Sequence, residues 1–252
     1  MKIVSAQRLT QIGGVKIAVQ AVAGMGKTML AATAKKPIVI LTERNGVTCL
    51  TEPNIRKVFG KDAVTTNVPV VEAYTVEAFE DAIGNLMDDT RFDTIFIDSV
   101  SELSKMLLTK AKPNYKNKLQ AYGDMAEQVD MFIRSLNDAP KNIVLLFHSV
   151  ACESWDEEGE PLGTVMVPGF EGQKMKTDFP FLNGEIYVMV NDFDDEGEET
   201  RMIRTRQGDT NTYAKNRSGT LNDIEPPHIQ KLIDKLKSTR PKKVVKKKPA
   251  VK

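Results

Sequence analysis

Short apolar runs alternate along the chain with stretches whose apolar residues recur at helical spacing. This alternation predicts an α/β fold with a mostly parallel sheet. The runs fall at residues 15–20, 37–41, 69–74, 94–98 and 143–147, each expected as a strand. Between the last two, Met125, Val129, Phe132 and Leu136 are spaced by four, three and four positions, which puts them on one face of a helix. Beyond His148 the texture changes. Strand-like runs at 164–167, 185–190 and 200–206 are separated by turns rich in glycine and acidic residues, a pattern of antiparallel hairpins. A last helix is predicted from Pro226-Pro227 onward, with Ile229, Leu232, Ile233 and Leu236 along one side. No internal repeat is present. The expected organisation is one α/β domain over residues 1–236, with a β-rich extension over about 149–213, followed by a tail from 237 to 252.

The formal charge of +1 is unevenly distributed. Residues 237–252 hold eight Lys or Arg and no acid, so 1 − 8 leaves −7 for residues 1–236. The tail has nothing to bury and is expected to be disordered. It reads either as a nucleic-acid contact or as a solubilising end. Hydrophobic residues at 41% and charged residues at 27% exclude a largely disordered chain. No run approaches the roughly 18 to 20 apolar residues of a membrane span, and the first residues lack the apolar core of a signal peptide. Cys49 and Cys152 alone make neither a disulfide framework nor a zinc site. A soluble, cytoplasmic protein with no membrane partner is expected.

The chemistry concentrates at Ala21-Val22-Ala23-Gly24-Met25-Gly26-Lys27-Thr28. The spacing is that of a P-loop, with Ala21 where the first glycine usually stands. Gly24 and Gly26 allow the backbone to wrap a phosphate with its N–H groups inward, and Ala23 and Met25 complete the cradle. Lys27 is expected to reach the β- and γ-phosphates of ATP, and the Thr28 hydroxyl to ligate Mg²⁺. A helix starting near Thr28 would turn its positive end toward the phosphates. About seventy residues on, a spacing that suits this class of fold, Asp98 ends a strand. It is placed to hold Mg²⁺ through water, to cap the helix that begins near Ser101, or to do both. Glu43 follows the run 37–41, either to polarise the attacking water or as an ordinary loop acid.

Taken in order, these elements resemble the RecA-type branch of P-loop ATPases. The resemblance implies that Glu43 is the catalytic glutamate and that Asp98-Ser99 closes the Mg²⁺-holding strand. It implies that His148, at the end of the run 143–147, senses the γ-phosphate. Lys215-Asn216-Arg217 would be a Lys-x-Arg form of the pair that completes a neighbouring subunit's site. The compact size, Phe147-His148-Ser149, the hairpin with Pro168 and Gly172, and the segment 214–219 look more closely like the small phage-encoded RecA-like ATPases of the Sak type. Those are described as single-strand annealing proteins or minimal recombinases. The likeness runs over roughly residues 15–236. It implies an ATPase stimulated by single-stranded DNA and a homo-oligomer, filament or ring, with ATP at its subunit interfaces. It also implies the cytoplasm of a phage-infected bacterium as the setting, with a single-strand DNA-binding protein as a further candidate partner. The larger recombinases carry an extra terminal domain, whereas about a dozen residues precede the first strand here. Binding and annealing are therefore expected ahead of full strand exchange.

Two segments are candidate DNA contacts by the same resemblance. Residues 103–123 hold Lys105, Lys110, Lys112, Lys116 and Lys118, with Tyr115 and Tyr122 and no acid. Lysines that track phosphates beside aromatics free to stack suit a sequence-neutral single-strand site. Lys174 and Lys176, with Phe170 and Phe179 nearby, form the second. The other reading of both segments is a solvated helix face with core aromatics, and DNA is preferred to it for the first segment. Residues 192–197 imitate the start of a calcium loop, but its twelfth position is Ile203 where a bidentate Glu is needed. They read as an acidic hairpin turn, as do residues 155–159. The methionines are assigned to the core. Two functions of other classes compete: a RecA-fold regulatory or motor ATPase acting on a protein partner, and a small-molecule kinase, disfavoured because no arginine-rich lid is seen.

Overall fold

The computed structural model describes residues 13–238 except 45, 156–157, 159, 194–196 and 209–211. The expectation of a disordered basic tail falls almost wholly outside the described residues. The chain runs β1 (Lys16–Ala21), a 3-10 turn (Thr28–Thr33), β2 (Pro37–Leu41), α1 (Glu52–Phe59), β3 (Val70–Glu72), α2 (Val76–Asp88), β4 (Thr94–Asp98) and α3 (Val100–Ala111). It continues through α4 (Lys118–Asp138), β5 (Asn142–Trp155), β6 (Pro161–Pro168), α5 (Lys174–Leu182), β7 (Glu185–Phe193), β8 (Glu199–Arg204), β9 (Lys215–Asn216), β10 (Ile224–Glu225) and α6 (Ile229–Ser238).

One sheet organises these elements, in the order β10-β8-β7-β1-β5-β4-β2-β3. The strands from β7 to β3 are mutually parallel. β8, β10, β6 and β9 add antiparallel pairings outside them. The central strands are apolar on both faces, as a sheet covered on both sides requires. Ala18, Ile40, Ile97, Leu145 and Ile186 pack against α2, α3, α4 and α5. Val19, Val39, Phe96, Leu146 and Tyr187 pack against the 3-10 turn, α1 and α6. The result is an α/β/α sandwich of the RecA-like P-loop type, with the alternation of each strand dividing its side chains between two cores.

Three sequence expectations are corrected. The helix expected from Thr28 is a six-residue 3-10 turn. Its residues 29–33 are all buried, and the Thr33 hydroxyl bonds back to the Leu30 carbonyl while accepting from the Ile229 amide of α6. The run 185–190 is not confined to an antiparallel extension. Ile186–Val188 pair with Ala18–Gln20 as a parallel strand, and only the distal part of β7 forms a hairpin with β8. Its unbroken buried run, Ile186 to Met189, is the signature of a strand covered on both faces. β5 likewise continues well past residue 147, leaving the parallel sheet at His148 and pairing antiparallel with β6 from Ser149.

Candidate active site

Four neighbouring parallel strands deliver the site. His148 on β5 stands opposite Ala21 at the end of β1, and Asp98 at the end of β4 stands opposite both Leu41 on β2 and Leu146 on β5. The residues that follow these ends converge because parallel strands all finish on one edge of the sheet.

The phosphate loop leaves β1 after Ala21. Gly24 and Gly26 have φ of 83° and 87°, left-handed conformations that favour glycine. Lys27 is 9% exposed. Its ammonium donates to the carbonyls of Ala21 at 3.0 Å and Val22 at 3.3 Å. Burial pushes its pKa down, while the carboxylates of Asp98 and Glu43 oppose the shift. A buried cation resting on two loop carbonyls, with two carboxylates nearby, fits a group that awaits a polyphosphate. Thr28 donates its hydroxyl to Asp98 at 2.5 Å. Burial raises the Asp98 carboxyl, and the Thr28 hydrogen bond works against that rise. A hydroxyl and a carboxylate brought together beside the loop form a hard oxygen donor set, which fits Mg²⁺. Among the described residues no cluster of three or more His, Cys, Asp or Glu is arranged to hold a metal.

The alternative role for Asp98, capping the next helix, belongs instead to Ser99, whose hydroxyl accepts from the Glu102 amide at 3.2 Å. Thr42 locks the two strand ends together. It donates to the Ser99 carbonyl and accepts from the Ser99 amide, both at 2.8 Å. Nothing in the sequence singles out Thr42, because a lone threonine beyond a strand carries no signal of its own.

Glu43 accepts from His148 Nε2 at 2.9 Å and from the Ser99 hydroxyl. The His148 hydrogen bond first, and the Ser99 bond after it, hold its carboxyl down to about 2 against the opposing effect of burial. Glu43 and His148, separated in the sheet by β4, are thus one hydrogen-bonded unit. Ser101 extends the connection: its hydroxyl accepts from the His148 amide at 3.0 Å and donates to the Gly169 carbonyl at 2.8 Å. Gly169 bonds back to the His148 carbonyl at 2.7 Å, and a Cβ on it would meet that oxygen at 2.9 Å.

Lys215 and Arg217 are not part of this chain's own phosphate cradle. Lys215 lies opposite Ile186, and its ammonium donates to the carbonyls of Pro180 at 2.6 Å and Asn183 at 3.1 Å, closing the end of α5. Arg217 lays its aliphatic stem along Gly184.

The two candidate DNA segments look different in three dimensions. Residues 103–123 are a helical turn-around rather than an open loop: α3, a 3-10 turn over Lys112–Asn114, and α4 from Lys118. Lys105 pairs with Glu102 at 3.0 Å and Lys110 with Glu77 at 2.5 Å. Lys112, Lys116, Lys118 and Lys174 are exposed and Lys176 is half-buried. The aromatics are engaged with the core to different degrees. Tyr115 and Tyr122 pack on the core, and Phe170 and Phe179 form a triangle with Phe147 at ring separations of 4.8–5.2 Å. Apolar rings at core spacing outweigh the basic context once α5 folds onto α4. The acidic turn at 192–197 is flanked by the β7–β8 ladder, as a hairpin requires, although 194–196 lie outside the described residues.

No helix among the described residues is long and apolar enough to cross a membrane. A family model described as an AAA domain matches residues 13–218. Among solved structures, a KaiC-like protein from the hyperthermophilic archaeon Pyrococcus horikoshii OT3 is similar at 13% identity and a TM-score of 0.42, covering 77% of this chain and 79% of that one. No curated protein sequence matches.

Proposed function

Because the chain belongs to the AAA-domain family over residues 13–218, we propose that its P-loop site drives an ATP-dependent, single-stranded-DNA-binding recombination protein, of the kind the phage Sak-type annealing proteins represent, acting as an oligomer. In this reading Lys27 and the loop amides bind the phosphates, and Thr28 and Asp98 hold Mg²⁺, which neutralises phosphate charge when bound. Glu43 polarises the attacking water, and His148 reports the state of the γ-phosphate.

The observation that carries the proposal is the unbroken path from Glu43 to a basic surface. Glu43 bonds His148 on β5, and Ser101 links His148 to Gly169, which leads into α5 with Lys174 and Lys176. Tyr122 packs over Gly172, so the first turns of α4, with Lys116 and Lys118 just before and at its start, adjoin that end of α5. A change at the γ-phosphate therefore has a physical route to lysines suited to a phosphodiester backbone. The ATPase rate is expected to rise with single-stranded DNA, and the DNA affinity to fall steeply with salt. Replacing Lys116, Lys118, Lys174 and Lys176 together by Ala should lower the salt slope and abolish stimulation while basal hydrolysis stays at the wild-type level.

A second reading, a RecA-fold ATPase acting on a protein partner, is favoured by the burial of Phe170 and Phe179 in the core and the packing of the half-buried Tyr115 and Tyr122 against it. The exposure of Leu119 at 76% and Phe181 at 84% favours it too. Hydrolysis indifferent to single strands would put this reading first.

Lys215 and Arg217 enter the proposal as the pair that completes a neighbouring subunit's site. Two cations supplied from outside would stabilise transition-state charge by about 10³ or more in rate. Mixing Lys27→Ala with a Lys215→Ala/Arg217→Ala double mutant should then restore part of the ATPase activity, since some interfaces in mixed oligomers are intact. Co-assembly without recovery would remove the pair from the site and leave Lys215 as the clasp on α5.

A further inference from the structure

Gln20 is the one polar side chain in residues 17–21 of β1, and it is wholly buried immediately before the phosphate loop. Its carboxamide joins three segments that are far apart in the chain. Nε2 donates to the Tyr213 carbonyl at 2.7 Å and to the Met166 carbonyl at 3.4 Å. Oε1 accepts from the Ser149 hydroxyl at 3.1 Å. Carbonyls only accept, so the amide nitrogen has to face them and the amide oxygen is left for the hydroxyl. Burying an amide costs free energy unless its hydrogen bonds are made, and the apolar residues at 17, 18, 19 and 21 fill the same strand without that cost. Packing alone gives no reason for a glutamine here.

The three partners mark where the reason lies. Ser149 follows His148, at the point where β5 leaves the parallel sheet. Met166 is on β6, the strand that returns toward Gly169. Tyr213 stands two residues before Lys215. The strand that carries Lys215, β9, is only two residues long and meets β7 through Glu185 opposite Asn216 and Ile186 opposite Lys215. So short a ladder leaves much of the placement to other contacts. The Lys215 ammonium on the end of α5 is one of them. Tyr213 supplies the rest: its amide donates to the Met166 carbonyl at 2.8 Å, and its carbonyl accepts from Gln20. One carboxamide therefore ties segment 213–217 to the strand that ends in the phosphate loop.

We propose that Gln20 is a positioning residue that sets Lys215 and Arg217 in register with the phosphate loop of their own chain, and so fixes where the pair is presented to the neighbouring subunit. The inference rests on the reading of that pair as the completion of a neighbour's site, and adds to it the residue that holds the pair in place. It also gives each subunit a one-residue route between the site it offers and the pair it supplies, since Gln20 directly precedes Ala21 and directly holds Tyr213.

Mixing of full-length variants decides which half of the shared site Gln20 serves. Gln20→Met replaces the carboxamide by an apolar chain of similar length. It is expected to bind ATP as the wild type does in a calorimetric titration, and to lose about 10² in ATPase rate, the scale of a catalytic group displaced by about 1 Å. Mixed with Lys27→Ala, which supplies an intact pair, Gln20→Met should regain part of that rate. Mixed with Lys215→Ala/Arg217→Ala it should regain nothing, because neither protein then supplies the pair. Gln20→Asn keeps the carboxamide but draws it back by one methylene. It is the milder variant, and should show the same pattern if a thermal melt finds Gln20→Met unfolded. The opposite pattern would place Gln20 in the service of the phosphate loop and overturn the inference, as would wild-type hydrolysis, or recovery in both mixtures or in neither. The mixture of Lys27→Ala with Lys215→Ala/Arg217→Ala is the reference. If it co-assembles and recovers nothing, the reading of the pair fails and the role of Gln20 falls with it. If it recovers and the Gln20 variants do not follow the pair, only the present inference fails.

Discussion

Lys27→Ala is expected to leave ATP binding undetectable at concentrations that saturate the wild type, with no turnover above background. Lys27 is the one ammonium whose charge the loop itself encloses. It is 9% exposed, and its donors rest on the Ala21 and Val22 carbonyls. Burial lowers its pKa, so the free site carries a cation that is poorly solvated and gains most when an anion arrives. Truncating one member of a buried, hydrogen-bonded charge pair typically costs about 2–5 kcal/mol, which is about thirtyfold to several thousandfold in Kd. The variant should fold, because the carbonyls it abandons lie at a loop that water can reach once the side chain is gone. Isothermal titration with ATP and a phosphate-release assay, alongside a thermal melt to confirm folding, measure the effect. Wild-type affinity in a folded Lys27→Ala protein would remove the nucleotide from this loop.

The parts of this site that were legible in the sequence share one property: each is specified by residues close together in the chain. Pro37–Leu41 and Thr94–Asp98 are strands with the expected bounds because every residue in them is buried and the apolar run alone marks its own ends. The phosphate loop is read from eight consecutive residues. The illegible parts depend on elements that meet only after folding. Nothing near Glu43 says that its carboxylate will be held by His148, because that contact requires β4 to lie between β2 and β5 and all three to end together. The aromatics near Lys174 misled for a related reason. Phe170 and Phe179 have no strict period to mark them as core, and only the packing of α5 under Phe147 buries them.

Glu43→Gln is expected to bind ATP as the wild type does and to hydrolyse it slower by roughly 10² or more, the scale for losing a general base. The substitution isolates chemistry from position. Glutamine keeps the length of the side chain, and its carbonyl oxygen can still accept from His148 Nε2 and the Ser99 hydroxyl, the two groups that hold Glu43. It lacks the negative charge that would polarise water. Because those bonds hold the Glu43 carboxyl at about 2, the wild-type group is fully ionised throughout the neutral range, and what limits it is its engagement with His148. A γ-phosphate that draws His148 away would free the carboxylate for water, so the same hydrogen bond that lowers basicity at rest can time its release. Single-turnover hydrolysis, with affinity measured in parallel, tests the chemical role: turnover within a few-fold of wild type would make Glu43 a structural acid. A second readout follows from linkage. A carboxyl depressed from 4.5 to about 2 in the folded state contributes stability that is present above the unfolded value and is lost as pH falls through that window. Between pH 4.5 and about 2 the wild type should therefore lose more of its thermal stability than Glu43→Gln does. If the two proteins lost stability in parallel on acidification, the carboxylate would not be held by His148 and Ser99 in solution. Its proposed release by the γ-phosphate would then have nothing to act on.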